Sequence, residues 1–363
     1  MGKGAPTPER GRSGRRRAEV LLALVSALTV PAVVVVAEAA LRVYDPAYLD
    51  RGSTGKLPDI HVYSPEYGWT LRPGSGFVRD GKRTTINSEG CRGRERGALA
   101  GPAVLLLGDS VAFGFEVDDA ETFASRLEEA GVETINLAVP GWGTDQELLR
   151  LKRQRLAAAP RLVVLNVCLE NDFADNHSPT FFYDGIQPKP YFTMEGDALV
   201  LHDQHVRSWR RRAAVWLRQR SHLYNRIAGV PAVSHEGWPQ RMARALTPRD
   251  EAKAVTYRLV AEVARTARGA GADVLVLLHP SKEAFRSGSD LRDGFFASPQ
   301  LRGVPLLDMG DIYRARGLRW SEVAQDAMGH LTPLGHGVVA ETILGRLKGL
   351  PAGGDQRAGG RDK

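Results

Sequence analysis

The chain has 363 residues, of which 43% are hydrophobic and 25% charged, enough for one large α/β domain with an insertion or for two modest domains. Its net charge of +7 is not spread evenly: Lys3, Arg10, Arg12, Arg15, Arg16 and Arg17 against Glu9 concentrate +5 in the first 17 residues, and the body is near neutral. That excludes a global basic field of the kind that draws in nucleic acid.

In chain order, residues 1–17 are rich in Gly, Arg and Pro and are expected to be a disordered basic tail. Residues 20–37 (VLLALVSALTVPAVVVVA) carry no charge across 18 positions. As a helix such a run spans roughly 27 Å, close to a bilayer core of roughly 30 Å. It has no polar face, unlike a core helix of a soluble domain, and Pro31 is tolerable in a membrane helix. Residues 18–44 therefore read as a transmembrane signal-anchor, and the Arg15–Arg17 cluster before it favours a cytoplasmic N-terminus and an extracytoplasmic body. The competing reading is a cleaved signal peptide, since Ala37-Glu38-Ala39 resembles a processing site, and it would make the protein secreted. Both readings export the domain.

Residues 45–100 are dense in turn formers (Asp45-Pro46, Arg72-Pro73-Gly74, Asp80-Gly81, Ser88-Glu89-Gly90) and read as short strands leading into the main domain. From 101 to 350 the pattern is strand, loop, helix. Val104–Leu107, Val132–Ala138, Leu162–Val167, Ala272–Leu278 and Val304–Leu307 are the five predicted strands. Uninterrupted apolar strands alternating with helices predict a parallel sheet covered on both faces. Helices are expected from Ser110 to about Leu127–Ala130, over Thr144–Ala159, from the Thr247-Pro248 cap to about Gly269, and from the Thr332-Pro333 cap to about Lys348. The alternation pauses at about 173–246, an aromatic, Arg-rich insertion or cap with one predicted helix near Val206–Ile227. Residues 351–363 form a polar Gly-rich tail, expected to be disordered. The two cysteines, Cys91 and Cys168, say little about redox compartment; Cys168 falls in a predicted buried strand and is expected to stay a thiol.

Gly108-Asp109-Ser110 stands where the first predicted strand ends and a helix begins, the edge of an open α/β sheet where ligands bind. A serine there either caps the helix or uses its free N–H groups to favour a developing anion. Position 112 is Ala, so the α/β-hydrolase nucleophile elbow is not present. His330, in QDAMGHLTPLGH, precedes the last helix and can serve as a base, with Asp326 upstream to hold its imidazole. His336 falls inside that helix and reads as structural. Oxyanion donors are available from Gly141, which could equally form a turn, and from Asn171, which could equally cap a loop. All four elements fall in loops at one edge of the predicted sheet.

LLLGDSVAFGFEV, INLAVPGWGTDQ, VCLENDFADN and DAMGHLTPLGH resemble the four spaced blocks of the SGNH/GDSL hydrolase family, in the family's order. YGWTLRPGS and INSEGCRG resemble the lead-in of its bacterial membrane-anchored members, so the likeness spans about residues 60–350. The resemblance implies a flavodoxin-like three-layer α/β/α sandwich with a five-stranded parallel sheet. It implies Ser110 as nucleophile and, through its own N–H, as one oxyanion donor. Gly141 supplies a second donor from its backbone and Asn171 a third from its side chain, with His330 as base and Asp326 as orienter. Two positions depart from the pattern. Leu169 stands where the family has a glycine, and Ala327 stands three before the histidine where the family has its aspartate. Asp326 is four before it; the substitutes are Asp308, Asp311 or a backbone carbonyl.

The reading is a serine esterase acting on an oxygen ester, an acyl or acetyl group of a cell-surface glycan, a lipid or a small ester. An O-acyltransferase using the same residues and a non-catalytic binding or assembly protein of the same fold are the alternatives. No cofactor is called for, and His202 and His205, three apart with no cluster around them, do not make a metal site. Arg207, Arg210, Arg211, Arg212, Arg218 and Arg220 crowd the insertion helix, as a solvated face or as a contact for anionic substrate or lipid headgroups. Trp209 and Trp216 on that helix are expected to pack it onto the body.

Overall fold

Three stretches of Val and Leu, β5 (Val104–Leu107), β7 (Leu162–Cys168) and β12 (Asp273–His279), are buried at every position except Asp273. Such strands are stable only with both faces covered, and the computed structural model places them side by side at the centre of a sheet. It describes residues 10–46, 60–96, 103–154, 160–169, 171–182, 186–228, 249–288 and 290–350. By packing, the chain divides into two compact units, one of residues 1–52 with 212–230 and one of residues 53–211 with 231–363.

The larger unit opens with two hairpins, β1 (His61–Ser64) with β2 (Gly68–Leu71) and β3 (Gly76–Arg79) with β4 (Lys82–Thr85). The central sheet adds β6 (Thr134–Asn136) and β13 (Leu306–Asp308), in the order β13-β12-β7-β5-β6, with every pair parallel. The strand order is therefore 2-1-3-4-5 in the chain order of the sheet's own strands, the flavodoxin-like arrangement. Register is fixed by pairs such as Leu106 with Asn136 and with Val164, and Leu278 with Val167 and with Asp308.

Right-handed crossovers put the helix before β6 on one face and the helices before β7 and β12 on the other. On the first face α3 (Phe123–Glu129), which follows the short α2 (Ser110–Phe113), packs with the last helix of the chain, Pro333–Lys348. On the second, α4 (Thr144–Arg153) and α5 (Asp172–His177) pack with the long helix Arg249–Gly269. This is the three-layer sandwich expected. Between α5 and the long helix come the hairpins β8 (Thr180–Phe182) with β9 (Ile186–Pro188) and β10 (Tyr191–Glu195) with β11 (Ala198–His202). The short α6 (Gln204–Arg207) follows them.

The smaller unit contains α1 (Arg10–Tyr44), the greater part of α7 (Trp209–Arg220) and α8 (His222–Ala228). Residues 16–44 of α1 are long and apolar enough to cross a membrane, and none of that window is buried.

Several expectations need correction. The first helix begins at Arg10, so it takes in residues 10–17, which the composition assigned to a disordered tail. The helix after Ser110 stops at Phe113, because Gly114 and Glu116 take positive φ (87° and 62°) and the buried Arg92 guanidinium collects the carbonyls of Phe113, Gly114 and Val117. The insertion's single predicted helix is three, broken at Ser208 and Ser221. Trp209 and Trp216, expected to pack the helix onto the body, are 68% and 55% exposed. The Thr247-Pro248 cap, residues 155–159 at the end of the second expected helix and the tail 351–363 lie outside the described residues.

The lead-in hairpin is tied to the loop after β6. The fully buried Trp142 donates from Nε1 to the Trp69 carbonyl (3.1 Å), and Trp69 donates from its own Nε1 to the Pro140 carbonyl (3.2 Å). Tyr67 packs on Trp142 with ring centroids 5.1 Å apart. Trp142→Ala is expected to lower unfolding stability by about 3–5 kcal/mol, the range for deleting a buried aromatic. Chemical denaturation followed by circular dichroism measures it, and a midpoint unchanged from wild type would contradict the packing.

Candidate active site

Ser110 lies in the first turn after β5. Asp109 is the residue that caps α2, its Oδ1 accepting from the Val111 N–H at 2.9 Å, so the serine hydroxyl is not spent on the helix. Gly108 is required by contact: a Cβ there would stand 2.5 Å from Ala112 Cβ. Ser110 Oγ is 2.8 Å from His330 Nε2, across 220 residues of chain.

His330 Nδ1 is in turn 2.5 Å from Asp326 Oδ2. The four-residue spacing is accommodated by the turn itself. The other oxygen of Asp326 accepts from the N–H groups of Met328 (3.0 Å), Gly329 (3.0 Å) and His330 (3.2 Å). Gly329 adopts φ 105° and runs so close to the Pro280 carbonyl that a Cβ would meet it at 3.0 Å. A bridge between Ala324 and Leu331 closes the loop, and Trp320 Nε1 donates to the Asp326 carbonyl at 2.9 Å. Asp308 and Asp311, the substitutes considered from sequence, are both held by Arg292.

The electrostatics follow from this. Burial acts to lower the pKa of the His330 imidazole, but the hydrogen bond and charge of Asp326 outweigh it and hold the pKa above the ordinary histidine value. Burial acts to raise the pKa of the Asp326 carboxyl, and His330 with the turn's N–H groups brings it below the ordinary value. With Nδ1–H given to Asp326, Nε2 is the lone-pair nitrogen facing Ser110. Phe115 covers the imidazole with ring centroids 5.1 Å apart, and also lines a cavity of about 110 Å³ with Phe77, Phe113 and Val117.

Gly141 and Asn171 come to the same sheet edge, after β6 and after β7. Gly141 has φ 78°, and a Cβ on it would lie 2.6 Å from the Phe181 ring, so only glycine fits the turn. Asn171 opens α5 and is buried, its amide Nδ2 donating to Asp175 Oδ2 (2.9 Å) and more weakly to Asp109 Oδ2 (3.3 Å). His336 is buried in the last helix and accepts from the Phe123 N–H through Nδ1 (3.2 Å), a structural role. His202 meets Thr193 and His205 meets the Lys189 carbonyl. No group of three or more His, Cys, Asp or Glu able to hold a metal occurs among the described residues.

Sequence reasoning missed a buried polar cluster beneath these loops. Asp109, Asp145, Glu147, Asp172 and Asp175 are all buried, with the fully buried Lys189 ammonium set on Asp145 and donating to the Asp175 carbonyl. Neither Glu147 oxygen has a hydrogen-bond partner among the described residues. Burial pushes the Glu147 and Asp172 carboxyls well above their ordinary range, with neighbouring carboxylates adding to it.

No family model matches the chain, and no curated protein is similar to it at a significant level. Among solved structures it is similar to a psychrotrophic esterase, EstA, from Pseudoalteromonas sp., inhibited by monoethylphosphonate, with 11% identity over 68% of this chain and 97% of that one and a TM-score of 0.38. It is also similar to a GDSL-like lipase from Bacteroides thetaiotaomicron (13% identity, 68% and 87% covered, TM-score 0.36) and to an alpha/beta hydrolase from the metagenome of Lake Arreo (15%, 70% and 99%, 0.38). Likenesses this distant carry no weight for activity.

A carboxyl with a raised folded-state pKa binds more protons folded than unfolded, so its contribution to stability is lost as pH rises above the unfolded value of ~4.3 toward the folded one. Glu147→Gln removes that loss. The variant is expected to unfold at higher denaturant than wild type at pH 8, with the gap narrowing at pH 5; an equal gap at both pH values would mean Glu147 is not held neutral.

Proposed function

We propose that the chain is a serine esterase, held at the outer face of a membrane by α1, that cleaves an oxygen ester through an acyl-enzyme on Ser110. The observation that carries this reading is the continuous hydrogen-bonded run from Ser110 Oγ through His330 to Asp326. A serine hydroxyl is a weak nucleophile until a base stands ready to take its proton, and an oriented base is what this run supplies.

In the proposed cycle Ser110 Oγ adds to the ester carbonyl while His330 Nε2 takes its proton. The imidazolium, stabilised by Asp326, then gives that proton to the leaving alkoxide as the C–O bond breaks. His330 next takes a proton from water, whose oxygen attacks the acyl carbon, and returns it to Ser110 as the acid leaves. The oxyanion formed twice on this path is read as facing the backbone N–H groups of Ser110, in the first turn of α2, and of Gly141. Asn171 joins them if its longer bond, that to Asp109, is exchanged for one to the oxyanion, while the bond to Asp175 keeps the amide in place. The ester is read as an acyl or acetyl group of a cell-surface glycan, a lipid or a small ester.

The test of the nucleophile is covalent labelling of the full chain by a fluorophosphonate, followed by intact mass. One adduct on wild type and none on Ser110→Ala is the expected result; a folded wild type that takes no label, or equal labelling of the two, overturns the reading.

The pH profile tests the base. Since His330 works only when neutral and its pKa is raised, kcat/KM is expected to rise with pH through a value above the ordinary histidine range of ~6.5. Asp326→Asn removes the cause of the shift, so the acid limb is expected to move to lower pH while the plateau falls by roughly 10⁴-fold, as when the acid of such a triad becomes an amide. A variant with an unmoved limb would assign the orienting role elsewhere.

A further inference from the structure

The smaller unit carries a second feature that ester hydrolysis does not use. The uncharged run of α1 ends at Glu38, and that carboxylate is where α8 begins. Glu38 Oε2 accepts from Ser221 Oγ (2.8 Å) and from the Leu223 N–H (2.9 Å), and Oε1 accepts from the His222 N–H (3.0 Å) and Arg42 Nε (2.8 Å). A side chain from another helix thus supplies the acceptors that the first N–H groups of α8 need. Arg42 also donates to the Arg220 carbonyl, the last of α7. Further along, His222 Nε2 meets the Asp45 carbonyl at 3.1 Å and Arg226 approaches the Asp45 carboxylate at 3.4 Å. The corner between α7 and α8 is therefore fixed at the level where the apolar run of α1 stops.

What this corner presents is basic and amphiphilic. From Asp203 to Glu236 the sequence has no carboxylate between, yet it carries Arg207, Arg210, Arg211, Arg212, Arg218, Arg220 and Arg226. Arg212, Arg220 and Arg226 are exposed. Trp216 (55% exposed) stands between Arg212 and Arg220, with the Arg220 guanidinium 5.2 Å from its ring centroid, and Ile227 (77%) follows Arg226. Trp209 and Trp216, seven apart, lie on one face of α7. An indole beside guanidinium groups, at the height where a membrane-crossing helix leaves hydrocarbon, suits the headgroup layer, where aromatic rings sit at the boundary and arginines reach phosphate.

We infer that α7 and α8 form a lipid-binding platform for anionic phospholipid headgroups of the leaflet from which α1 emerges. The inference rests on reading α1 as a membrane anchor but not on the chemistry of Ser110. The charge of the segment selects the anionic lipid over a neutral one, and the exposed apolar side chains beside the arginines select a membrane over a soluble anion.

The test uses the full chain reconstituted into vesicles of phosphatidylcholine alone, or of phosphatidylcholine and phosphatidylglycerol in equal parts, each doped with a phospholipid brominated near its headgroup. Quenching of Trp216 is read as the difference between wild type and Trp216→Phe. Severalfold stronger Trp216 quenching with phosphatidylglycerol, weakened by salt and reduced to the phosphatidylcholine level by the triple change Arg212→Gln, Arg218→Gln, Arg220→Gln, is the expected result. Quenching that is the same in both lipids, or indifferent to the triple change, overturns the anionic platform. So does the absence of Trp216 quenching in protein that co-floats with the vesicles, and a cross-linked dimer in that case would show a second copy covering the face. Protein that fails to co-float overturns the anchor and the platform together, whereas loss of fluorophosphonate labelling with intact quenching overturns only the esterase reading.

Discussion

The constraint on which the larger unit depends is the reversal of strand order between β5 and β7. Because parallel crossovers are right-handed, the chain leaving β5 turns to one face of the sheet and the chain leaving β7 turns to the other. Their loops part at the carboxyl edge, and Ser110 and Asn171 sit on the two sides of that gap. No strand neighbour can deliver the third component, His330, which lies beyond β13 at the far edge of the sheet. It arrives on a loop that must be rigid by its own means, and Asp326 provides them. One carboxylate oxygen gathers three consecutive N–H groups into a turn while the other holds the imidazole. Building the turn and holding the imidazole fall to one carboxylate, which is why an aspartate four residues before the histidine reaches it in this loop.

The buried carboxylates beneath the site are the cost side of the same architecture. Five acids and one ammonium cannot all be ionised out of contact with water, and the Lys189–Asp145 pair compensates only part of that charge. Burial therefore drives Glu147 and Asp172 toward their neutral forms. Asp175 belongs to this cluster and is also the nearer acceptor for the Asn171 amide. The orientation of a residue at the candidate site is thus coupled to a desolvated network deep to it, where a change of one proton alters the field on every neighbour.

The sheet was legible in the sequence for a plain reason. Strands covered on both faces read as uninterrupted Val and Leu, and the loops after them carried the residues with unusual chemistry. The limits of the strands slipped by one or two residues, as at β12, which leaves out Ala272 and takes in His279 because His279 pairs with Cys168. The helix after Ser110 was overextended because nothing local announces that Glu116 will adopt positive φ; the stop comes from Arg92, some twenty residues upstream and on another element. The acidic cluster was illegible for the opposite reason. Asp145, Gln146 and Glu147 in the first turn of α4 look like an ordinary charged helix start, and they are buried by distant parts of the chain: the long helix Arg249–Gly269 and β10 pack on α4, Lys189 sits on Asp145, and Gln146 donates to the Tyr67 carbonyl. Composition likewise pointed Trp209 and Trp216 inward, since apolar character is equally an instruction to face a core or to face lipid.

In α1 the apolar side chains lie bare, and the helix bonds its own backbone except where Pro31 has no N–H to give, a gap that membrane helices tolerate. The first ionisable groups after the apolar run, Glu38 and Arg42, pair with each other one turn apart and spend their remaining capacity on the ends of α7 and α8. A carboxylate with four donors around it can stand at the edge of an apolar phase where an unpaired one could not. Those same bonds order a neighbouring helix end that would otherwise leave its first N–H groups unsatisfied. The end of α1 and the facing ends of α7 and α8 are thus one polar junction, with Glu38 and Arg42 at its centre.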